Sequence, residues 1–458
     1  MPILGLPPSL AAHSASLKPA HFSIEHVIRP NILALQPYRC ARDDYDEGIL
    51  LDANENAMGH SIPRLSSTSS SSSTFQETSP EHTAILDLDL HRYPSPTHIP
   101  IKERIAVLRG AESHEQVFLG VGSDEIIDLL IRVLVRPSSG EKVLICPPTY
   151  GMYKVCAAVN DVPVLSVPLV LDGRNGEGGE NGRFSLDVDA VKTAIANEKA
   201  SGGEVKLVFL CSPGNPTGTK LSLGKIRQVL ECEALTGVVV VDEAYVDFAG
   251  EETSAVELVR EYKNVVVMQT LSKGFGLAAI RLGIAISQPP LIQILSNTKA
   301  PYNIPTPTAH LALRALSTEA VASMREKVAT LIAERTRLIQ VLPERLGHLG
   351  VGSAIGGNDA NFIMLPILSS PEGPPDSDRA EQVYRLMAEE RLSQPQENGV
   401  WKEGAQGPVV VRFRGREPGC EGCLRVTVGT REENDAVLEK LGGILGRVVR
   451  GGQEGGNR

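Results

Sequence analysis

VKLVFLCSPGNPTG (205–218), GVVVVDEAYVDF (237–248) and NVVVMQTLSKGFGLAAIRLG (264–283) share one plan: an aliphatic, largely β-branched run that ends in a polar cluster. Runs of this kind, separated by helical patterns, predict parallel strands buried on both faces of a sheet. In such α/β sheets, ligands collect beyond the carboxyl ends of the strands. Asn215, Asp242 and Lys273 each follow such a run and are therefore candidates for one shared site. Each alone has an ordinary explanation: a turn former in NPTG, a helix N-cap after VVVV, and a surface Ser-Lys pair. Together, each after a buried strand, they are far more specific.

The pattern extends outward from this core. IKERIAVLRG (101–110) reads as an amphipathic helix, and VFLGVGSDEIIDLLIRVLV (117–135) as a short strand, a glycine turn and a helix. KVLICPPTYGMY (142–153) reads as a strand running into a loop, and VPVLSVPL (162–169) as a strand. Beyond Pro305 come a long helical stretch (308–340), strands at 360–367, 409–415 and 422–430, and a final helix at 433–445. The expected fold is α/β: a large domain with a mostly parallel sheet, plus a smaller α+β domain. The expected division is 1–84 as an N-terminal arm and segment joining the small domain, 85–304 as the large domain and 305–458 as the small one. Residues 1–22 read as a loose arm. The Ser-rich stretch within 61–80 lacks apolar surface to offset ordering entropy and is expected to be disordered. Residues 172–183 and 368–378 read as surface insertions.

Composition narrows the function class. The chain has 458 residues, with Lys+Arg 45 against Asp+Glu 55 and a formal net charge of −10. That balance, with only 4% aromatic residues, argues against a nucleic-acid partner. No apolar run is long enough to cross a bilayer, and the proline-broken N-terminus resembles neither a secretory signal nor a transit peptide. Seven scattered cysteines do not form a disulfide framework, so the expected compartment is the cytoplasm. Cys420-x-x-Cys423 lacks the second ligand pair that a zinc site needs, and no metal is expected.

Lys273, Asp242 and Asn215 suit the chemistry of pyridoxal 5'-phosphate. That cofactor needs a lysine to form a Schiff base with its aldehyde and a carboxylate to keep its ring nitrogen protonated. Lys273 supplies the first and Asp242 the second. Asn215 and Tyr245, three residues past Asp242, can address the ring hydroxyl. Gly122, Ser123 and Asp124 open a helix whose N-terminal amides can cradle the phosphate. Ser272 and the forked cation of Arg281 can complete that cradle.

GVGSDEIIDLL, PPTYGMY, CSPGNPTGT, VVVDEAYVDF, TLSKGFGLAAIRLG and GCLRVTVGT together resemble the histidinol-phosphate aminotransferase family, within the fold-type I pyridoxal-phosphate-dependent aminotransferases. The resemblance runs from about 23 to 445. LDANEN, RYPSP, PTYGMY, DEAYVDF and CLRVTVGTREEND carry the subfamily match. It implies transamination between L-histidinol phosphate and 2-oxoglutarate, giving imidazole acetol phosphate and L-glutamate. By matching position, Lys273 is the Schiff-base lysine, Asp242 pairs with the ring nitrogen, and Tyr245 and Asn215 address the ring hydroxyl. Tyr150 stacks on the ring. Tyr93 in RYPSP reaches the cofactor phosphate of a neighbouring subunit, which implies a homodimer with shared sites. Arg425 meets the substrate's acidic group, and Arg412, alone of the cluster 412, 414 and 416, faces the substrate phosphate. Asn361, Tyr302 and Asn54 line the substrate pocket. The chain departs from the family pattern after ANEN, where Ala57 and Met58 stand in place of proline and an aromatic residue. The competing readings are an aromatic aminotransferase, a threonine-phosphate decarboxylase and a non-catalytic relative acting as a regulator.

Overall fold

The computed structural model of the protein describes residues 3–36, 88–173, 182–389 and 408–454. The large domain is built on seven strands: β1 (Val117–Val121), β2 (Glu141–Ile145), β3 (Val164–Ser166), β4 (Glu204–Cys211), β5 (Val238–Asp242), β6 (Val265–Thr270) and β7 (Leu282–Ser287). Their order across the sheet is β1-β7-β6-β5-β4-β2-β3. The pairs from β6 through β5, β4 and β2 to β3 are parallel, and β7 runs against both neighbours, β1 and β6. The parallel core follows the sequence expectation. The reversed β7 was not anticipated, because LGIAIS follows Arg281 within one continuous apolar pattern. Physically, an antiparallel return needs no crossover helix. The chain leaves β6 at Thr270, turns, and comes back as β7 with Gly283 opposite Thr270.

Side-chain alternation along the central strands builds two cores. Val239 and Val241, Val208 and Leu210, and Val265 and Val267 face one side. There they pack with helices α2 (Ile99–Arg109), α5 (Val188–Ala200) and α6 (Leu223–Leu230). Val238 and Val240, Leu207 and Phe209, and Val266 and Met268 face the other. That face is covered by α3 (Gly122–Leu134), α4 (Met152–Val159) and α7 (Pro289–Thr298). Burial on both faces explains why these strands read as unbroken apolar runs rather than alternating ones.

The N-terminal residues belong to this second core. Helix α1 (Pro8–Ala15) lies in the segment expected to be loose. Ile3, Phe22, Val27, Ile28 and Leu33 are buried with α3 and α7. The Lys18 N–H donates to the Glu261 carbonyl at 3.0 Å, and the Lys263 N–H donates back to Lys18 at 2.8 Å. The Ser-rich stretch, Asn54, Ala57 and Met58 lie outside the described residues.

The C-terminal sheet has three strands in the order β8-β10-β9: β8 (Phe362–Pro366), β10 (Cys423–Thr427) and β9 (Arg412–Phe413), all antiparallel. The helical stretch 308–340 is two helices, α8 (Thr306–Ala315) and α9 (Thr318–Leu346). Ser317 caps the second by accepting from the Ala320 N–H at 3.2 Å. Helices α9, α10 (Ser377–Glu389) and α11 (Arg431–Glu454) cover one face of this sheet. Leu424 and Val426 point into that core. The period of two then turns Arg425 to the opposite face, toward the large domain.

One close approach holds the large sheet to the start of α3. A Cβ at Gly283 of β7 would collide with the backbone of Gly122 and Ser123. Gly283→Ala is therefore expected to destabilise the protein by about 1–3 kcal/mol, the scale of overpacking at a rigid contact. Denaturant melts check this; an unchanged midpoint would contradict the backbone contact.

Candidate active site

Asp242 ends β5, flanked in the ladder by Cys211 of β4 and Met268 of β6. Its residue is 3% exposed. The Tyr153 hydroxyl donates to Oδ2 at 2.6 Å, and the Ala244 N–H donates to Oδ1 at 3.2 Å. Burial pushes the Asp242 carboxyl up to about 6, while these two hydrogen bonds pull it back down; Asp124 adds a smaller push and Lys273 a smaller pull. Tyr153 is itself fully buried and stacks on Phe209 with centroids 4.5 Å apart. Its hydroxyl is thus fixed by packing before it meets the carboxylate.

Lys273 lies in the turn between β6 and β7, with Nζ 5.5 Å from the centre of the Tyr245 ring. Burial lowers its pKa, and the nearby Arg425 and Arg281 cations lower it further, against Asp124 and Asp242. A lysine held this way offers more of its neutral, nucleophilic form than a surface lysine does. The Tyr245 ring meets Phe362 edge-on at 5.3 Å, and burial raises its hydroxyl to about 12. Asn215, in the loop after β4, accepts from Arg425 Nη1 at 2.5 Å. Arg425 also lies over the Phe362 ring, 5.3 Å from its centre.

The start of α3 carries no side-chain N-cap. Gly122 has φ +70°, and its N–H donates to the Arg281 carbonyl at 3.0 Å. A Cβ there would strike the Arg281 guanidinium, so glycine is required both by conformation and by space. Arg281 Nη2 lies 3.5 Å from Asp124 Oδ2, and the Tyr150 hydroxyl donates to Asp124 Oδ1 at 3.1 Å. Ser272 is tied to Thr270, whose hydroxyl donates to Ser272 Oγ at 2.9 Å and accepts from the Ser272 N–H at 3.1 Å.

These groups converge on one cleft of about 450 Å³. Of the residues expected from sequence, Ser123, Asp124, Tyr150, Asn215, Asp242, Tyr245, Ser272, Lys273, Arg281, Arg412 and Arg425 line it, and Gly122 abuts it behind Arg281. Three others lie elsewhere in the chain. Tyr93 stacks on Tyr302 at 4.7 Å, and neither lines the cleft. The Asn361 carbonyl accepts from the Val428 N–H at 2.9 Å, which leaves Asn361 as the neighbour of Phe362 rather than a lining residue. Asn54 lies outside the described residues.

Sequence reasoning missed Thr270, Tyr153 and Arg414. Tyr153 sits one helical turn past Tyr150, and nothing local shows that it reaches β5. Arg414 was legible: residues two apart on an extended strand share a face, so Arg412 and Arg414 go together. Arg416, by contrast, turns outward and pairs with Glu381 at 2.6 Å.

Loss of the buried hydroxyl gives a signed prediction. Tyr153→Phe removes a donor to the ionised form of Asp242 and so raises its folded-state pKa further. Stability should fall by about 1.5–3 kcal/mol at alkaline pH, above the variant's raised pKa, where the carboxylate is charged in both proteins. The difference should shrink as pH drops below about 6 and the carboxyl becomes neutral. Denaturant melts at pH 5 and pH 8 measure it; equal losses at both would contradict the linkage.

The model of the family described as aminotransferase class I and II matches residues 47–441. A histidinol-phosphate aminotransferase of Schizosaccharomyces pombe is 42% identical over 432 residues, 93% of this chain and 98% of that one. The one from Saccharomyces cerevisiae is 39% identical over 430 residues, 91% and 96% respectively. Among solved structures, the histidinol-phosphate aminotransferase of Sinorhizobium meliloti in complex with pyridoxal 5'-phosphate aligns with a TM-score of 0.61 at 20% identity. It covers 80% of this chain and 86% of its own, a likeness that speaks for the fold. The seven-stranded sheet with its cleft at the strand ends, and relatives matched along nearly their whole length, place this chain in the histidinol-phosphate aminotransferase family of class I and II aminotransferases.

Proposed function

We propose that the protein transfers the amino group of L-histidinol phosphate to 2-oxoglutarate, giving imidazole acetol phosphate and L-glutamate, with pyridoxal 5'-phosphate as cofactor. The observation that carries this is the division of the cleft's cations. Arg281 stands on the large-domain side with the uncapped start of α3; Arg412, Arg414 and Arg425 stand on the small-domain side; Lys273 and Asp242 lie in the same cleft. Such a cleft suits an anionic cofactor and an anionic substrate at once.

The residues fit the cofactor. The amides of Ser123 and Asp124, with Ser272 and Arg281, would hold its phosphate, and Gly122, whose own N–H is given to the Arg281 carbonyl, would supply the turn that lets the backbone come close. In the structure, the Asp124 side chain is the anion beside Arg281, and a bound phosphate would take over that guanidinium. Asp242 would hold a proton on the ring nitrogen, its carboxylate oriented by Tyr153 and Ala244. Asn215 and Tyr245 would meet the ring hydroxyl, and Tyr150 the ring face. The cofactor, when bound, supplies an electron sink for the bonds at the substrate's α-carbon. Lys273 would anchor it covalently and then move the proton between the substrate carbon and the cofactor. Arg425 would meet the substrate anion in both halves of the reaction. The assignments of Arg412 and Asn54 to the substrate pocket belong to this proposal, as do those of Asn361 and Tyr302, which would have to reach it from outside the cleft lined by the described residues.

The assembly proposed is a homodimer with shared sites in the cytoplasm. Tyr93, 51% exposed and outside the cleft of its own chain, would serve the partner's cofactor phosphate. Among the described residues no helix is long and apolar enough to cross a membrane.

Two substitutions test the chemistry. Lys273→Ala should abolish transamination and the visible band of the covalently held cofactor; near-parental turnover would end the proposal. Asp242→Asn keeps the shape and loses the charge, so the chemical step should fall at least about a hundredfold, as for a lost electrostatic element. Unchanged single-turnover rates would refute that role.

A further inference from the structure

We propose that Arg414 is a specificity-determining residue of the substrate-anion end of the cleft: a third guanidinium, paired with Glu417 in the resting protein, that engages the dianion of a phosphate monoester. The proposal deepens the functional reading above and rests on it.

The backbone fixes the arrangement. Arg412 in β9 stands opposite Arg425 in β10. The Arg414 N–H donates to the Cys423 carbonyl at 2.9 Å, so extended pairing continues one residue past Phe413. Phe413 packs against the small-domain core, while Arg412, Arg414 and Arg425 all line the cleft. Three guanidiniums in one place resist one another. The pKa of Arg425 is lowered by burial first and then by Arg414, with Arg412 adding a smaller effect.

Among the described residues, little offsets this crowding. Arg414 Nη1 meets Glu417 Oε1 at 2.9 Å, and Arg425 gives one Nη to the neutral Asn215. Arg412 is paired with Arg425 through the backbone of the ladder, but among the described residues no hydrogen bond or ion pair engages its side chain. Arg414 Nε is buried with no acceptor at all. A buried N–H of a cation is costly to leave unmet, so its partner should arrive with a ligand. Among the described residues, three cations against the one carboxylate of Glu417 leave a surplus that matches a phosphate dianion better than a carboxylate monoanion. A phosphate also presents enough oxygens for three forks, whereas a carboxylate is served by two. Glu417 then sets how readily Arg414 is released to the ligand.

Equilibrium binding separates this role from a structural one. In a Lys273→Ala background loaded with pyridoxal 5'-phosphate, which does not turn over, titration calorimetry gives the dissociation constants of histidinol phosphate and of histidinol. The parent should prefer histidinol phosphate strongly. Adding Arg414→Gln should raise the histidinol phosphate constant roughly ten- to a hundredfold, the range of a lost charged hydrogen bond, and leave histidinol within about twofold. Glu417→Gln, which frees Arg414, should tighten histidinol phosphate alone. Equal shifts for both ligands, or none, would overturn the role of Arg414. A parent that does not distinguish the two ligands would overturn the histidinol-phosphate reading itself, and this proposal with it. Where Arg414→Gln fails to fold, Arg414→Lys carries the test, because it keeps the charge and loses the fork. Weaker histidinol phosphate binding with histidinol unmoved supports the proposal, and no change refutes it.

Discussion

A carboxylate buried at the centre of a sheet is expensive, and the site is arranged around that expense. Asp242 closes a strand that is buried along its whole length, where water cannot solvate its charge. Two donors, the Tyr153 hydroxyl and the Ala244 N–H, only partly offset the desolvation, which is why the carboxyl is still pushed up to about 6. What remains is a standing demand for a cation above the strand end. The protonated pyridine ring of the proposed cofactor would meet that demand, and the same strand ends carry the other groups that such a ring would require. β4 leads to Asn215, β6 to Lys273, and the turn after β5 to Tyr245.

The reversal at β7 is part of the same arrangement. Because the chain returns antiparallel beside β6, the loop that carries Lys273 and Arg281 leaves and re-enters the sheet at the same end of two neighbouring strands. Arg281 then backs against Gly122, so the guanidinium at the start of α3 and the lysine share a single short loop. The small domain closes the other side. The alternation Leu424-Arg425-Val426 buries two neighbours in its own core and sends the arginine across to Asn215. One hydrogen bond thus ties the two sheets together at the point where a substrate would sit.

How much of this could be read from sequence depended on range. Asn215, Asp242 and Lys273 were legible because a buried parallel strand is locally obvious and its end is a defined place. Gly122 and Arg281 were legible from the helix start and the SKGFG loop. Tyr153 was not, since its partner lies across the sheet and nothing in PTYGMY marks the pairing. Arg414 was passed over for want of applying the strand period to RFRG. β7 was hidden because an aliphatic run looks alike in either direction. The N-terminal arm seemed loose because its apolar residues are sparse; they become a docking face only against α3 and α7.

The central claim is that the charged cleft between the two domains accepts histidinol phosphate as its amino donor. The most direct measurement is a single half-reaction. The holoenzyme is mixed with L-histidinol phosphate in the absence of any 2-oxo acid, and the cofactor absorbance is followed by stopped flow. The account predicts a stoichiometric loss of the aldehyde-form band, reversed by 2-oxoglutarate, with a second-order constant well above those for phenylalanine, tyrosine and threonine phosphate. No spectral change with histidinol phosphate, or a constant no greater than that for the other amines, would contradict it.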